Sequence, residues 1–141
     1  MTQNTGQSYQ LPDGLHLAQA LDRAEAPDAP AADIARSMCL LLAATVRDIL
    51  IDHDHDAAFD ATGLELLFTP ANSTVHASGS YWTGDGTRRE FPGTEDTYHL
   101  NGWAHWLDET NRDTWAALCE VLGENGHTVR YRLDLARAAA L

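Results

Sequence analysis

The segment DIARSMCLLLAATVRDIL, which starts at Asp33, constrains the fold more than any other part of the chain. Its apolar side chains return at helical spacing, while Arg36, Arg47 and Asp48 lie off the stripe. The stripe consists of Ile34, Met38, Leu41, Leu42, Thr45, Val46 and Ile49. Asp33 is suited to cap the first turn, because its carboxylate can accept hydrogen bonds from the orphan amides there. The pattern predicts the main core helix of the fold.

The periodicity changes in the middle of the chain. The segments LELLFTP, STVHASGSYWTG and TRREFPG are separated by the turn sequences PANS and GDG, and each has the length of a strand. In the second segment Val75 and Ala77 alternate with His76 and Ser78, which is the two-faced pattern of an antiparallel sheet. Gly79 inside that segment indicates a bulge or a close packing neighbour.

The C-terminal third combines both periods. In WAALCEVLGENGHTVRYRLD, Trp115, Leu118, Cys119 and Leu122 have helical spacing, so we predict a helix over Asp113–Leu122. The following HTVRYRLD alternates and predicts a strand with Arg130 and Arg132 on its more solvated face. A helical turn or two is expected within EDTYHLNGWAHWLDET. The sequence thus predicts an α+β fold, in which an antiparallel sheet of about four strands packs against a long N-proximal helix and one or two C-proximal helices.

The expected domain organisation is simple. With 141 residues the chain fits one domain, and we assign it to residues 31–141. Residues 1–30 are interpreted as an N-terminal arm, in which PDGLHLAQALDRA can form a short helix. The first ten residues have no basic or apolar segment of a signal peptide, and MCLLLAATV is about half the length of a membrane span. A cytoplasmic protein is expected.

Acidity is the main clue to partners. The formal charge is −12, from 21 acidic residues against 9 basic ones, and all nine basic residues are arginine. Such a surface repels nucleic acid and anionic lipid and attracts basic proteins. We therefore expect no direct binding to nucleic acid or membrane, and a basic protein as the partner.

One segment invites a metal hypothesis. In DHDHD, which spans Asp52–Asp56, His53 and His55 would point the same way from a strand and could share a metal ion with a carboxylate. A metal site needs further ligands, and the spacing selects none of the other histidines. The simpler interpretation is a solvated acidic loop, and we assign neither a metal nor a cofactor.

Catalytic motifs are not found in the sequence. It contains no G-x-S-x-G, G-x-x-x-x-G-K or H-E-x-x-H motif. Cys39 and Cys119 lie among apolar residues, which is typical of reduced, buried thiols rather than of reactive ones. The sequence therefore favours a binding protein over an enzyme.

Aromatic and acidic residues supply the candidate partner-binding site. Most aromatics in this pattern belong to the core, and we expect Trp82 and Trp106 to be the exposed exceptions. An exposed tryptophan beside carboxylates makes a strong anchor for a basic partner. The predicted partner-binding residues are Asp52, Asp54, Asp56, Trp82, Trp106, Asp108 and Glu109.

The order of elements and the C-terminal pattern resemble the YezG-like family of bacterial antitoxin, or immunity, proteins. The residues that carry the resemblance are Trp115, Leu118, Leu122, Gly126 and Tyr131, within roughly residues 34–134. The resemblance implies that Trp115–Leu122 is a strand of a hairpin with GENG at the turn, which conflicts with the predicted helix. It also implies a small cytosolic protein that neutralises a cognate toxin, often a nuclease, by binding it.

Three functional hypotheses follow. The first is an acidic immunity or antitoxin protein that blocks a basic toxin. The second is a metal-dependent enzyme that uses His53 and His55. The third is a non-catalytic, self-associating structural module. A homodimer is a further hypothesis about partners.

Overall fold

Five helices and five strands form the fold, in a computed structural model that describes Tyr9 and residues 11–51, 60–91 and 93–141. The helices are α1 (Gly14–Glu25), α2 (Ala31–Ile51), α3 (Thr94–Ala104), α4 (Arg112–Ala116) and α5 (Leu135–Ala139), with a 3-10 turn at Glu109–Asn111. The strands are β1 (Ala61–Thr69), β2 (Thr74–Thr83), β3 (Arg88–Glu90), β4 (Cys119–Glu124) and β5 (Val129–Asp134). The α+β prediction is confirmed.

Helix α2 is the predicted core helix. Met38, Leu42 and Val46 are fully buried, whereas Ile49 is only partly buried because it faces a groove beside α3. The predicted start at Asp33 is wrong by two residues. The helix begins at Ala31, the Pro30 carbonyl accepts from the Asp33 and Ile34 amides, and Asp33 pairs with Arg36 at 2.8 Å instead of capping.

All five strands form one antiparallel sheet in the order β3-β2-β1-β5-β4. The three strands predicted in the middle of the chain are present as β1, β2 and β3, and β4 makes the sheet one strand wider than the expected four or so. Gly79 sits at an irregularity of the β1–β2 pairing with a φ of +99°, which favours glycine. An added Cβ there would lie 3.1 Å from Thr97 Oγ1 of α3, so both expectations for this glycine are met.

The predicted helix over Asp113–Leu122 is wrong in its second half. Helix α4 ends at Ala116, and from Cys119 the chain forms β4, which pairs with β5 across a turn where the Asn125 amide donates to the Thr128 carbonyl at 3.1 Å. Pairing with β5 overrides the helical spacing. The hairpin that the resemblance implies is thus present from Cys119 on, but Trp115 lies on a helix.

The helices cover one face of the sheet. Leu64, Leu66 and Phe68 of β1 point to this face and join the buried side chains of α2 in one apolar cluster. Trp115 completes it. Its ring lies 5.8 Å from that of Phe68 and 5.0 Å from that of Tyr131, and its Nε1 donates to the Asp108 carbonyl at 3.0 Å.

The helix predicted near the N-terminus is present as α1. It packs against α2 with Ala20 and Ala24 buried, and the Tyr9 hydroxyl donates to the Ala43 carbonyl at 2.7 Å. The division of the chain at residue 30 stays a prediction. None of the helices in the described ranges is both long and apolar enough to span a membrane.

Candidate interaction surfaces

Part of the predicted site falls outside the described residues. This holds for Asp52, Asp54 and Asp56, and also for His53 and His55, the candidates for a metal. In the chain they directly follow Ile51, the last residue of α2.

An acidic groove of about 530 Å³ lies between α2 and α3. Trp103 forms part of its lining, and its Nε1 donates to Thr45 Oγ1 at 2.9 Å, which fixes the indole against α2. Its other lining residues are Thr45, Asp48, Ile49, Glu95, Asp96 and His99. Asp48 pairs with Arg47 at 3.0 Å, and Asp96 accepts from the Gly93 amide at 3.1 Å. Glu95 has no ion pair with any described residue.

A second recess of about 380 Å³ surrounds Trp106, whose side chain is 37% exposed. Ala31 and Ile34 of α2 form its apolar part. Asp108 lies on its wall, where its carboxylate accepts from the amide and hydroxyl of Thr110. The neighbouring Glu109 is exposed and pairs with Arg112 at 3.3 Å. Trp106 and Asp108 thus line one recess, and Glu109 follows Asp108 in the chain. Their role in partner binding stays a prediction.

The groove and the recess lie at opposite ends of α2. The C-terminal part of α2 lines the groove with α3 residues from Glu95 to Trp103, whereas Ala31 and Ile34 line the recess with the residues that follow α3. Between the two, α2 is buried from Ser37 to Ala44. We call the groove and the recess together the α2–α3 crease.

The expected exposure of Trp82 is wrong, because only 9% of this side chain is accessible. The Arg132 guanidinium covers its ring at 5.6 Å from the centroid. Gly63 makes room for that arrangement, since an added Cβ would come within 2.7 Å of Arg132 Cγ. Trp82 also lies on the side of the sheet opposite the helices, so it does not join the α2–α3 crease.

An ionic network, which the sequence analysis missed, occupies that opposite side. Glu65 of β1 is 2% exposed, and both carboxylate oxygens are engaged. Arg88 Nη2 donates to Oε1 at 2.8 Å and Arg130 Nη2 to Oε2 at 2.7 Å, while Ser78 donates to Oε1 at 2.5 Å. These residues come from β3, β2, β1 and β5, and we call them the Glu65 network.

Electrostatics keep Glu65 ionised. Burial by itself would raise the pKa of Glu65, but the hydrogen bonds from Ser78, Arg88 and Arg130 together outweigh it, so the pKa lies below its usual value. The sequence held one signal of this arrangement. A single carboxylate in the apolar run LELLF has to find cationic partners if the strand is central.

The cysteines are structural. Burial raises the pKa of the Cys39 thiol to about 12, and burial likewise raises the pKa of Cys119, whose Sγ donates to the Trp115 carbonyl at 3.2 Å. Both thiols stay protonated at neutral pH and are poor nucleophiles. Among the described residues no group of three or more His, Cys, Asp or Glu side chains is placed to hold a metal ion.

Comparison of the chain with protein-family models, with curated protein sequences and with solved structures gives no match.

Proposed function

We propose that this chain is a non-catalytic, cytoplasmic binding protein that neutralises a basic partner, most simply an immunity or antitoxin protein that blocks a nuclease toxin. The observation that carries the proposal is the α2–α3 crease, where a groove lined by carboxylates and a recess with an exposed tryptophan lie at opposite ends of α2. The substrate cleft of a nuclease is basic, and an acidic surface of this kind complements it.

The negative charge of the chain speeds its association with a basic partner. With −12 on a small domain, the field draws a basic partner in from a distance, and Asp48, Glu95 and Asp96 concentrate that field at the groove. Asp52, Asp54 and Asp56 follow α2 in the chain and are, as part of the proposal, partner-binding residues. Charges of this kind act mainly on the rate of association.

Trp106 slows dissociation of the complex. It combines a partly exposed ring with an apolar wall from Ile34, and Asp108 lines the same recess. Aromatic residues in such settings contribute most of the binding energy at many interfaces. We therefore assign the anchor to Trp106.

The test is a kinetic series against a basic nuclease toxin encoded next to the gene for this chain. Association should slow steeply as salt rises and the Debye length shrinks from about 30 to 10 Å. Glu95→Gln together with Asp48→Asn should slow association, whereas Glu124→Gln, an exposed site on β4, should change it little.

Trp106→Ala should shorten the lifetime of the complex with little effect on association. Tyr98→Ala is the matched control, because Tyr98 is an exposed aromatic of α3 that lines neither the groove nor the recess. Binding that does not depend on salt, or no binding to the toxin, would refute the proposal.

A further inference from the structure

The sheet face opposite the helices, which we call the open face, differs in charge from the rest of the molecule. The strand register places three arginines and three glutamates on it: Arg88, Arg130, Arg132, Glu65, Glu90 and Glu120. Asp134 lies at its rim, where it caps α5 by accepting from the Arg137 amide. In a chain with a formal charge of −12, this face is close to neutral.

Its arginines are held in place before any partner arrives. The side chains of Arg88, Arg130 and Arg132 are 47%, 41% and 43% exposed, yet Glu65 fixes the first two and the Trp82 ring supports the third. An ordered side chain loses less conformational entropy on binding than a free one. The open face is therefore prepared for polar contacts.

One carboxylate on the open face makes only a weak ion pair. Glu120 is 63% exposed and approaches Arg132 Nη2 only to 3.4 Å, longer than the 2.7–2.9 Å of a strong charge-assisted bond. It can therefore accept from a further guanidinium. Arg132 likewise keeps donors for a second carboxylate.

We propose that two copies of this chain pair through their open faces in a symmetric dimer, in which Arg132 of each copy reaches Glu120 of the other. The inference does not rest on the proposed function. A two-fold interface places the same patch on both partners, so the patch must complement itself. Interspersed arginine and glutamate meet this condition.

Other occupants fit the pattern less well. A uniformly acidic or basic partner would meet like charges as well as opposite ones on this face, and a phosphate backbone would meet Glu90 and Glu120. Elsewhere on the chain two copies would repel each other, because each is strongly acidic. The open face is where a second copy meets the least repulsion.

The size of the face is adequate. Five strands about 4.8 Å apart and up to nine or ten residues long give a flat area on the order of 600 Å². The relief of the side chains adds to this value, and stable interfaces bury about 800 Å² per partner. Half-buried Leu67 and His76 contribute apolar contact between the ion pairs.

Sedimentation of the full chain over a wide concentration range tests the proposal. We expect a mass of two 15.4 kDa chains at high concentration. Glu120→Arg should weaken the dimer by at least about tenfold, because it places two arginines side by side. The double variant Glu120→Arg/Arg132→Glu reverses the pair and should restore most of the loss.

Glu124→Arg is the matched control. It makes the same change of charge on the same strand, but its partner Val129 faces the helices, so its effect on the dimer should be small. Glu120→Gln provides a milder variant, and circular dichroism verifies the folding of each. A native chain that stays monomeric, a control that weakens the dimer equally, or a double variant that restores nothing would overturn the proposal.

Discussion

The two faces of the sheet are built from the same strands by opposite means. On β1, Leu64, Leu66 and Phe68 enter an apolar core under the helices, whereas Glu65, between two of them in sequence, enters an ionic network on the open face. Apolar packing stabilises the helix-covered face, and ion pairs stabilise the open face. The comparison teaches that burial alone does not define the core of this protein, because Glu65 is as inaccessible as its leucine neighbours.

Truncation of adjacent leucines should separate the two faces most clearly. Leu66→Ala removes a fully buried side chain from the helix-covered face and should cost about 2–5 kcal/mol of unfolding free energy. Leu67→Ala, one residue further on the open face, is half-buried and should cost about 1 kcal/mol or less. Urea unfolding of both variants gives the values. Equal costs would contradict the assignment of the faces.

Removal of one arginine should show how strongly the open face depends on its charges. Arg130→Met keeps an apolar stem but takes two hydrogen bonds from Glu65, and should cost about 1–3 kcal/mol, reduced from the value for a fully buried pair because Arg130 is 41% exposed.

Arg36→Met is the control for this substitution. The Arg36–Asp33 pair is solvent-exposed on α2, and its loss should cost about 0–1 kcal/mol. Similar costs for the two substitutions would mean that the burial of Glu65 has no energetic weight.

Lowering the pH should reduce the stability contributed by the Glu65 network on the open face before it affects the apolar core. The pKa of Glu65 is lower in the folded state than in the unfolded chain, so its contribution to stability is fully present above the unfolded pKa of about 4.3 and is lost as the pH falls through the folded pKa. Glu65→Gln cannot titrate. Its stability should therefore fall less steeply than that of the native protein below about pH 4. Identical pH profiles for the two chains would show that Glu65 is not the acid-sensitive group.

The smallest change in stability is expected from a substitution of Gly63, which Arg132 overlies. Gly63→Ala should displace Arg132 from the Trp82 ring and cost about 0.5–1 kcal/mol, the range for a partly exposed cation–π pair. Tryptophan fluorescence should change with it. Gly102→Ala in α3, where an added Cβ meets nothing within 4 Å, should stabilise the helix and leave the fluorescence unaltered. An unchanged spectrum in the first variant would mean that Arg132 does not cover the ring.

Elements with a strong local pattern were predictable from the sequence. The apolar stripe gave α2 with an error of two residues at its start, and the alternation in STVHASGSYWTG gave β2. The segment after Ala116 was not predictable in this way. Its helical spacing is real, but it pairs with β5 residues that lie five to fourteen positions further along the chain. The local sequence alone does not show whether helical spacing or strand pairing prevails.

The candidate site was predictable only in part. Acidic residues that follow one another in sequence, such as Asp108 and Glu109, stay together in any fold, and their neighbour Trp106 stays with them. The exposure of Trp82 depends on Arg132, fifty residues later, and the Glu65 network joins four strands. Such contacts follow from the strand order, which no local pattern reveals.

The strand order also sets the sequence of events in folding. The last strand of the chain, β5, lies between β1 and β4, and it pairs Phe68 with Val129. During synthesis β1, β2 and β3 can form a meander early, but one edge of β1 remains unpaired until Asp134 has emerged. Closure of the sheet is a long-range and therefore slow step. Until then the nascent chain exposes an unpaired strand edge and apolar residues, which favour aggregation. Pairing of the C-terminal hairpin with β1 covers that edge.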